Sequence, residues 1–227
     1  MKIETIYELF KQIIKENGEL DTPKYLELRS KLEKEIRDAS ALKVTSKTRV
    51  SAIKRVASQT DVRPILKGYA IQEINGETYR VVTDSYHLIA IKQDEMPLPL
   101  VATSDELEKL HIDKNEYMNK YGAESIICGV YPNIQNFIPR DLKDGEKIEL
   151  DVDDVIAFDK MHKFDKTKKN EDLYKLRDGY MVNPRLLKNV LQVLGSDVEV
   201  YIQGDNGPTI ITNKENEIGL VLPIKIY

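Results

Sequence analysis

Asn75-Gly76 sits between two short runs that alternate like β-strands, Tyr69–Ile74 and Thr78–Val82. Both residues tolerate positive φ at little cost, so the pair specifies a two-residue hairpin turn and sets the register of the flanking strands. The chain continues through a polar kink, Thr83-Asp84-Ser85-Tyr86-His87-Leu88, into a third strand, Ile89-Ala90-Ile91. Upstream, Arg63, Pro64 and Gly68 end a basic helical run, because proline removes a backbone donor and restricts the residue before it. The expected unit is a helix followed by three antiparallel strands.

A similar unit closes the sequence. Tyr180-Met181-Val182 reads as a strand, Asn183 caps a helix that Pro184 begins, and Leu186, Leu187, Val190, Leu191 and Leu194 form its apolar stripe up to Gly195. Strands are expected at 198–203, 209–212 and 218–226, with turns at 204–208 and 213–217. Between the two units, Met96-Pro97-Leu98-Pro99 is a crossover, 104–121 is helical in pattern, 125–130 and 147–152 are strands, and 153–164 is a helix. Residues 165–177 read as a Lys-rich loop, with Leu173 and Leu176 as candidates for a short strand. Residues 1–39 carry apolar residues at helical spacing (Ile3, Ile6, Leu9, Phe10, Ile13, then Leu28, Leu32, Ile36) around Asn17-Gly18. They predict a helical hairpin, either packed on the body or serving as a docking arm. Ala41–Thr45 is a strand candidate.

Four phrases in this order resemble the bacterial DNA polymerase III β sliding clamp family. They are Arg63-Pro64-Ile65-Leu66-Lys67-Gly68, the kink from Thr83 to Leu88, the connector Tyr131-Pro132-Asn133-Ile134-Gln135-Asn136-Phe137-Ile138-Pro139, and the final unit, with Asn183-Pro184-Arg185-Leu186-Leu187, a Gly-Pro turn and Leu222-Pro223-Ile224-Lys225-Ile226. The resemblance covers residues 41–227 and is similar to that family's second and third domains without its first. It implies an α+β DNA-clamp fold of helix-plus-antiparallel-strand half-modules. Domains would span 41–138 and 139–227, each with one abbreviated half, preceded by the helical extension 1–40. A six-domain ring would then need three copies, while loss of joining edge strands would leave a monomer or an open dimer.

The resemblance also implies a groove for short linear peptides of polymerase and other replication proteins. Carried over by position, its residues are Leu66, Thr83, Ser85, Tyr86, His87, Leu88, Pro132, Asn136, Phe137, Leu220, Leu222, Pro223, Ile224 and Lys225. Apolar walls with few polar edges suit an extended segment with one or two large apolar anchors. Ser85 stands where the family usually has glycine, Tyr86-His87 replaces a His-Arg pair, and Asn136-Phe137 replaces a basic-aliphatic pair. The kink is expected to differ in backbone geometry, and an arginine edge is lost.

From Lys47 to Lys67 six cations (Lys47, Arg49, Lys54, Arg55, Arg63, Lys67) face one acid, Asp61, beside an apolar side of Val50, Ile53, Val56 and Ala57. Such a run is either a solvated face or, as the resemblance implies, a helix that meets duplex DNA non-specifically through phosphates. Lys47, Arg49, Lys54 and Arg55, with Arg185 and Lys188 on the later helix, are the candidate DNA contacts.

The 227-residue chain has a net charge of −4 with 32% charged residues, which excludes a uniformly basic nucleic-acid binder but not a basic face. The lone Cys128 allows no internal disulfide and fits the cytoplasm. The acid-bearing N-terminus reads as neither signal peptide nor membrane span. His87, His111 and His162 lack metal-ligand spacing, and no phosphate loop or nucleophile motif occurs, so neither enzyme activity nor a cofactor is expected. Asp151, Asp153 and Asp154 read as a strand end and a helix N-terminus. Two functions follow: a clamp-like processivity factor that encircles DNA, or a clamp-fold adaptor or decoy that binds the same peptides without a ring, of a kind a phage or mobile element would carry.

Overall fold

The computed structural model describes residues 47–58, 62–92, 95–161 and 172–224. The expected hairpin at 1–40, the candidate strand at 41–45 and Lys225 lie outside them. From Thr48 onward the chain forms one unit.

The Asn75-Gly76 turn forms as its chemistry requires, with φ of 52° and 82°. It joins strand β1 (Ala70–Ile74) to β2 (Glu77–Thr83), and the kink leads into β3 (His87–Ile91). Helix α1 occupies residues 47–56. It ends well before the glycine at 68. Arg63 takes an extended-side φ of −132°, and Pro64–Lys67 then wind as a separate 3-10 turn. Along α1 the buried stripe is Ala52, Ile53 and Val56, continued by Ala57 just past its end, whereas Val50 is exposed.

The middle of the chain is shorter and more irregular. Strand β4 (Leu100–Ala102) pairs in parallel with β5 (Ile126–Cys128). Between them the expected single helix is two, α2 (Ser104–Lys109) and α3 (Lys114–Tyr121), separated where His111 takes a φ of 54°. Thr103 and Glu106 form a reciprocal capping box on α2, and Asp113 caps α3, so each helix has its own start signal. Then follow β6 (Glu146–Ile148), α4 (Val152–Met161), β7 (Tyr174–Arg177) and β8 (Tyr180–Val182). Asn183 caps α5 (Pro184–Leu194) by accepting from Arg185 N, and Gly195 ends it. Strands β9 (Val198–Ile202), β10 (Thr209–Asn213), β11 (Ile218–Val221) and β12 (Pro223–Ile224) complete the described chain. The long last strand breaks at Leu222.

One sheet organises these elements, in the order β1-β2-β3-β11-β10-β9-β6. Its centre is the antiparallel pairing of β3 with β11, where Leu88 opposes Leu220 and His87 opposes Val221. The two three-stranded units therefore fuse into one surface. Strand alternation sends Val82, Ile89, Val200, Ile211 and Val221 to the face covered by α1 and α5. It sends Val81, Leu88, Ala90, Ile210 and Leu220 to the other face, where Leu66, Tyr131, Ile134 and Ile138 cover them. Gly219 permits the close approach of α5, since a Cβ there would strike Val190 and Leu194. A second sheet runs β12-β8-β7.

Candidate functional site

The kink between β2 and β3 is a network of short-range hydrogen bonds. Asp84 Oδ1 accepts from Tyr86 N, His87 N and His87 Nδ1 at 2.8–2.9 Å. Thr83 Oγ1 donates to His87 O at 2.7 Å and accepts from Ser85 N at 3.0 Å. These bonds hold Ser85 at φ +84°, a region that favours glycine. The kink thus keeps a glycine-type backbone at a serine. Burial acts to raise the Asp84 carboxyl, but the bonds from the His87 side chain and the two amides outweigh it and leave it below the ordinary range. Opposite the Asp84 bond, His87 Nε2 is buried without a partner.

Two further segments close on this kink. The C-terminal strand arrives through β11, and Leu222 N donates to Tyr86 O at 3.0 Å. The connector after β5 is fastened at its root by Tyr131, whose hydroxyl accepts from Thr83 N at 3.0 Å; burial pushes this phenol up. Gln72 on β1 then binds the connector with both ends of its amide, donating to Pro132 O at 2.7 Å and accepting from Ile134 N at 3.1 Å. Asn75 donates to Arg140 O at 3.1 Å.

These three segments line one cavity of about 490 Å³. Thr83, Ser85, Tyr86, His87, Leu88, Pro132, Asn136, Phe137, Leu220 and Leu222 all lie on it. Large apolar side chains stand open at its rim: Tyr86 is 65% exposed, Phe137 63% and Leu222 39%. Leu66 does not line it and is buried in the core. Pro223 and Ile224 form β12, beside the cavity wall but not on it. Arg63, Ile134 and Pro208 line it as well, and sequence reading assigned none of them there. Ile134 belongs to the connector phrase and Pro208 to the Gly-Pro turn, so both were within reach. Arg63 was read as a helix end and as one of the six cations of the basic run, not as a groove residue.

The candidate cations on the helices behave differently. Arg49 Nη2 meets Glu217 Oε1 at 2.7 Å, and Glu217, 1% exposed, also accepts from Lys92 N and Asn213 Nδ2. Arg55 ties α1 to α5, donating to Asn189 Oδ1 at 2.9 Å and Gln192 Oε1 at 2.7 Å. Lys188 pairs with Asp159 on α4. Lys47, Lys54 and Arg185 are exposed. Asp151 caps α4 through its Oδ1 at Asp153 N and Asp154 N, in line with its reading as a helix start. Among the described residues no group of His, Cys, Asp or Glu is arranged to hold a metal, and no helix is long and apolar enough to cross a membrane.

No family model matches this sequence, and no curated protein does. Solved structures do. The β sliding clamp of C. crescentus, with polyethylene glycol bound to its putative β-motif tethering region, aligns over 79% of this chain and 63% of its own, at 17% identity and a TM-score of 0.50. The DNA polymerase sliding clamp of Bacillus subtilis aligns over 81% of this chain and 63% of its own, at 16% identity and a TM-score of 0.50. The Bartonella birtlesii clamp bound to griselimycin gives 82%, 65%, 14% and 0.51. The chain therefore spans somewhat under two thirds of the clamps it resembles, and it has the bacterial sliding-clamp fold.

Proposed function

We propose that the chain is a clamp-like processivity factor whose groove holds linear segments of DNA polymerase and other replication proteins, while assembled copies surround duplex DNA. The observation that carries this reading is convergence. Three segments far apart in sequence meet on one cavity, and they leave Tyr86, Phe137 and Leu222 in water around it. Exposed large apolar side chains around a concave site are the anatomy of a docking groove rather than of an ordinary surface. On this reading 41–138 and 139–227 are two clamp domains, β3 and β11 form the seam between them, and 1–40 is an extension. Lys47, Lys54 and Arg185 are the phosphate contacts, with Arg49, Arg55 and Lys188 shaping the face. The protein works in the cytoplasm, without catalysis of its own.

A second reading, a clamp-fold adaptor that binds the same peptides without encircling DNA, is favoured by the internal engagement of Arg49 and Lys188 with carboxylates and of Arg55 with two side-chain amides, which reduces the charge and donors offered to phosphates. Light scattering on the full chain, together with retention on nicked circular DNA before and after linearisation, separates the two. The first reading expects a multimer, three copies for a six-domain ring, that is held on circles and slides off linear DNA. A monomer that binds a polymerase-derived peptide but is not retained moves the assignment to the adaptor. A monomer that binds neither overturns both.

A further inference from the structure

The sheet face that carries α1 and α5 is finished differently at its β1 end. Ile71 opposes Arg80, and Arg80 lies two residues from Val82, so both belong to this face. Here the cover is the crossover at 95–99 together with α3, and no residue of α3 is buried. A cleft of about 740 Å³ remains, within the roughly 300–1,000 Å³ of small-molecule sites. Its apolar walls include Ile71, Met96, Leu98 and Ile112. Its polar part is Arg80, half-buried, with Tyr69 and Tyr117, whose hydroxyls lie 3.0 Å apart. Two phenols hold two protons; the bond between them uses one, and the other is left to donate. Burial and the bond to Tyr117 push the Tyr69 phenol up, and the Arg80 charge pulls against them, so cation and hydroxyls share one region of the cleft.

We propose that this cleft binds a small carboxylic acid with a flat apolar body, the carboxylate on Arg80 and a tyrosine hydroxyl, the body against Met96, Leu98 and Ile112. It is a second site, independent of the docking groove and of the reading that rests on it. The residue types select the class. A guanidinium presents five donors in a planar fork, more than one neighbour uses, and a carboxylate accepts two of them side by side. Half-burial shields this contact from water more than a surface pair is shielded. Among the described residues, Glu95 and Glu124 also line the cleft, and both are exposed. Two carboxylates at the mouth penalise a doubly charged phosphate more than a single carboxylate, so the ligand is a monoanion. The apolar walls need a body to cover them, which sets a bare acetate-like ion below an aryl-substituted acid.

The test is a ligand-observed NMR titration of the full chain with cinnamate and with its neutral amide, cinnamamide. Cinnamate is expected to bind about five- to tenfold tighter than the amide, and tighter than phenyl phosphate. Arg80→Gln should erase the preference for the acid while keeping the affinity of the amide. If that variant loses both probes, Arg80→Lys, which keeps the charge, should still favour the acid. Ile112→Trp, which fills the cleft, should weaken both probes at least about tenfold. Leu222→Asp, at the docking groove, should change neither. No binding of cinnamate at several millimolar overturns the proposal, as does equal binding of acid and amide. So does a preference that survives Arg80→Gln or vanishes in Arg80→Lys, tighter binding of phenyl phosphate, or an affinity unmoved by Ile112→Trp. Loss of cinnamate in Leu222→Asp places it in the docking groove; that overturns the assignment to this cleft and leaves the docking reading standing.

Discussion

The groove and the helical face of the same sheet use their side chains in opposite ways. Around the groove, Tyr86, Phe137 and Leu222 remain in water although the core lies beneath them. On the helices, Arg49, Arg55 and Lys188 fold back onto Glu217, Asn189, Gln192 and Asp159. An aromatic ring left in water gains little for the fold, and the docking proposal rests on that exposure. A cation has two uses, and a buried carboxylate such as Glu217 requires one of them. Counting Lys and Arg along a helix therefore overstates what the surface offers, whereas apolar residues that three separate segments bring to one cavity are harder to explain from within.

Substitutions can break this contrast. The largest effect is expected at Leu88, which lines the cavity but is only 4% exposed. Leu88→Asp places a carboxylate against the core and should cost on the order of 4 kcal/mol of stability in urea denaturation. Arg49→Ala comes next. It leaves Glu217 buried without its cation and should cost about 3 kcal/mol, whereas Arg185→Ala on the same face should change stability by less than about 0.5 kcal/mol. Equal costs for the two would erase the distinction between inward and outward cations. Leu222→Asp, at the open rim, should leave the unfolding midpoint nearly unchanged while weakening a groove peptide by about 2 kcal/mol, some thirtyfold by anisotropy.

The smallest effect is a pH dependence that sharpens the same contrast. Asp84 is held below the ordinary carboxylate range in the fold, so its contribution is complete above the unfolded value of about 4 and is lost as pH falls through the lower folded value. Lys147 and Lys143 likewise hold Glu199, at about 2, on the more open edge of the sheet. Denaturation midpoints measured against pH should show Asp84→Asn flattening the acid limb at both low and high salt. Glu199→Gln should flatten it only at low salt, because screening already removes an exposed pair.

How much of this was legible in the sequence follows from the range of each interaction. Asn75-Gly76, the Asn183-Pro184 start and the Gly195 stop are local instructions, and the structure obeys them. The three groove segments were legible as motifs. Strand β4 was not, because three apolar residues after Pro99 become a strand only when β5, more than twenty residues later, pairs with them in parallel. The break at His111 depends on a left-handed residue that no glycine announces. The partners of Arg49 and Arg55 lie more than a hundred residues away. Arg63 was counted with the basic run and as a helix end, and its place on the cavity depends on a kink twenty residues later.

The amide of Gln72 holds the connector wall along β1 within the chain itself. A wall already fastened has little left to arrange on encounter, so the entropy of immobilising it was spent in folding. If the groove docks linear segments as proposed, short ones can suffice, and capture should proceed at the pace of collision and orientation rather than of loop rearrangement. Cutting that tether with Gln72→Ala should slow capture more than it hastens release.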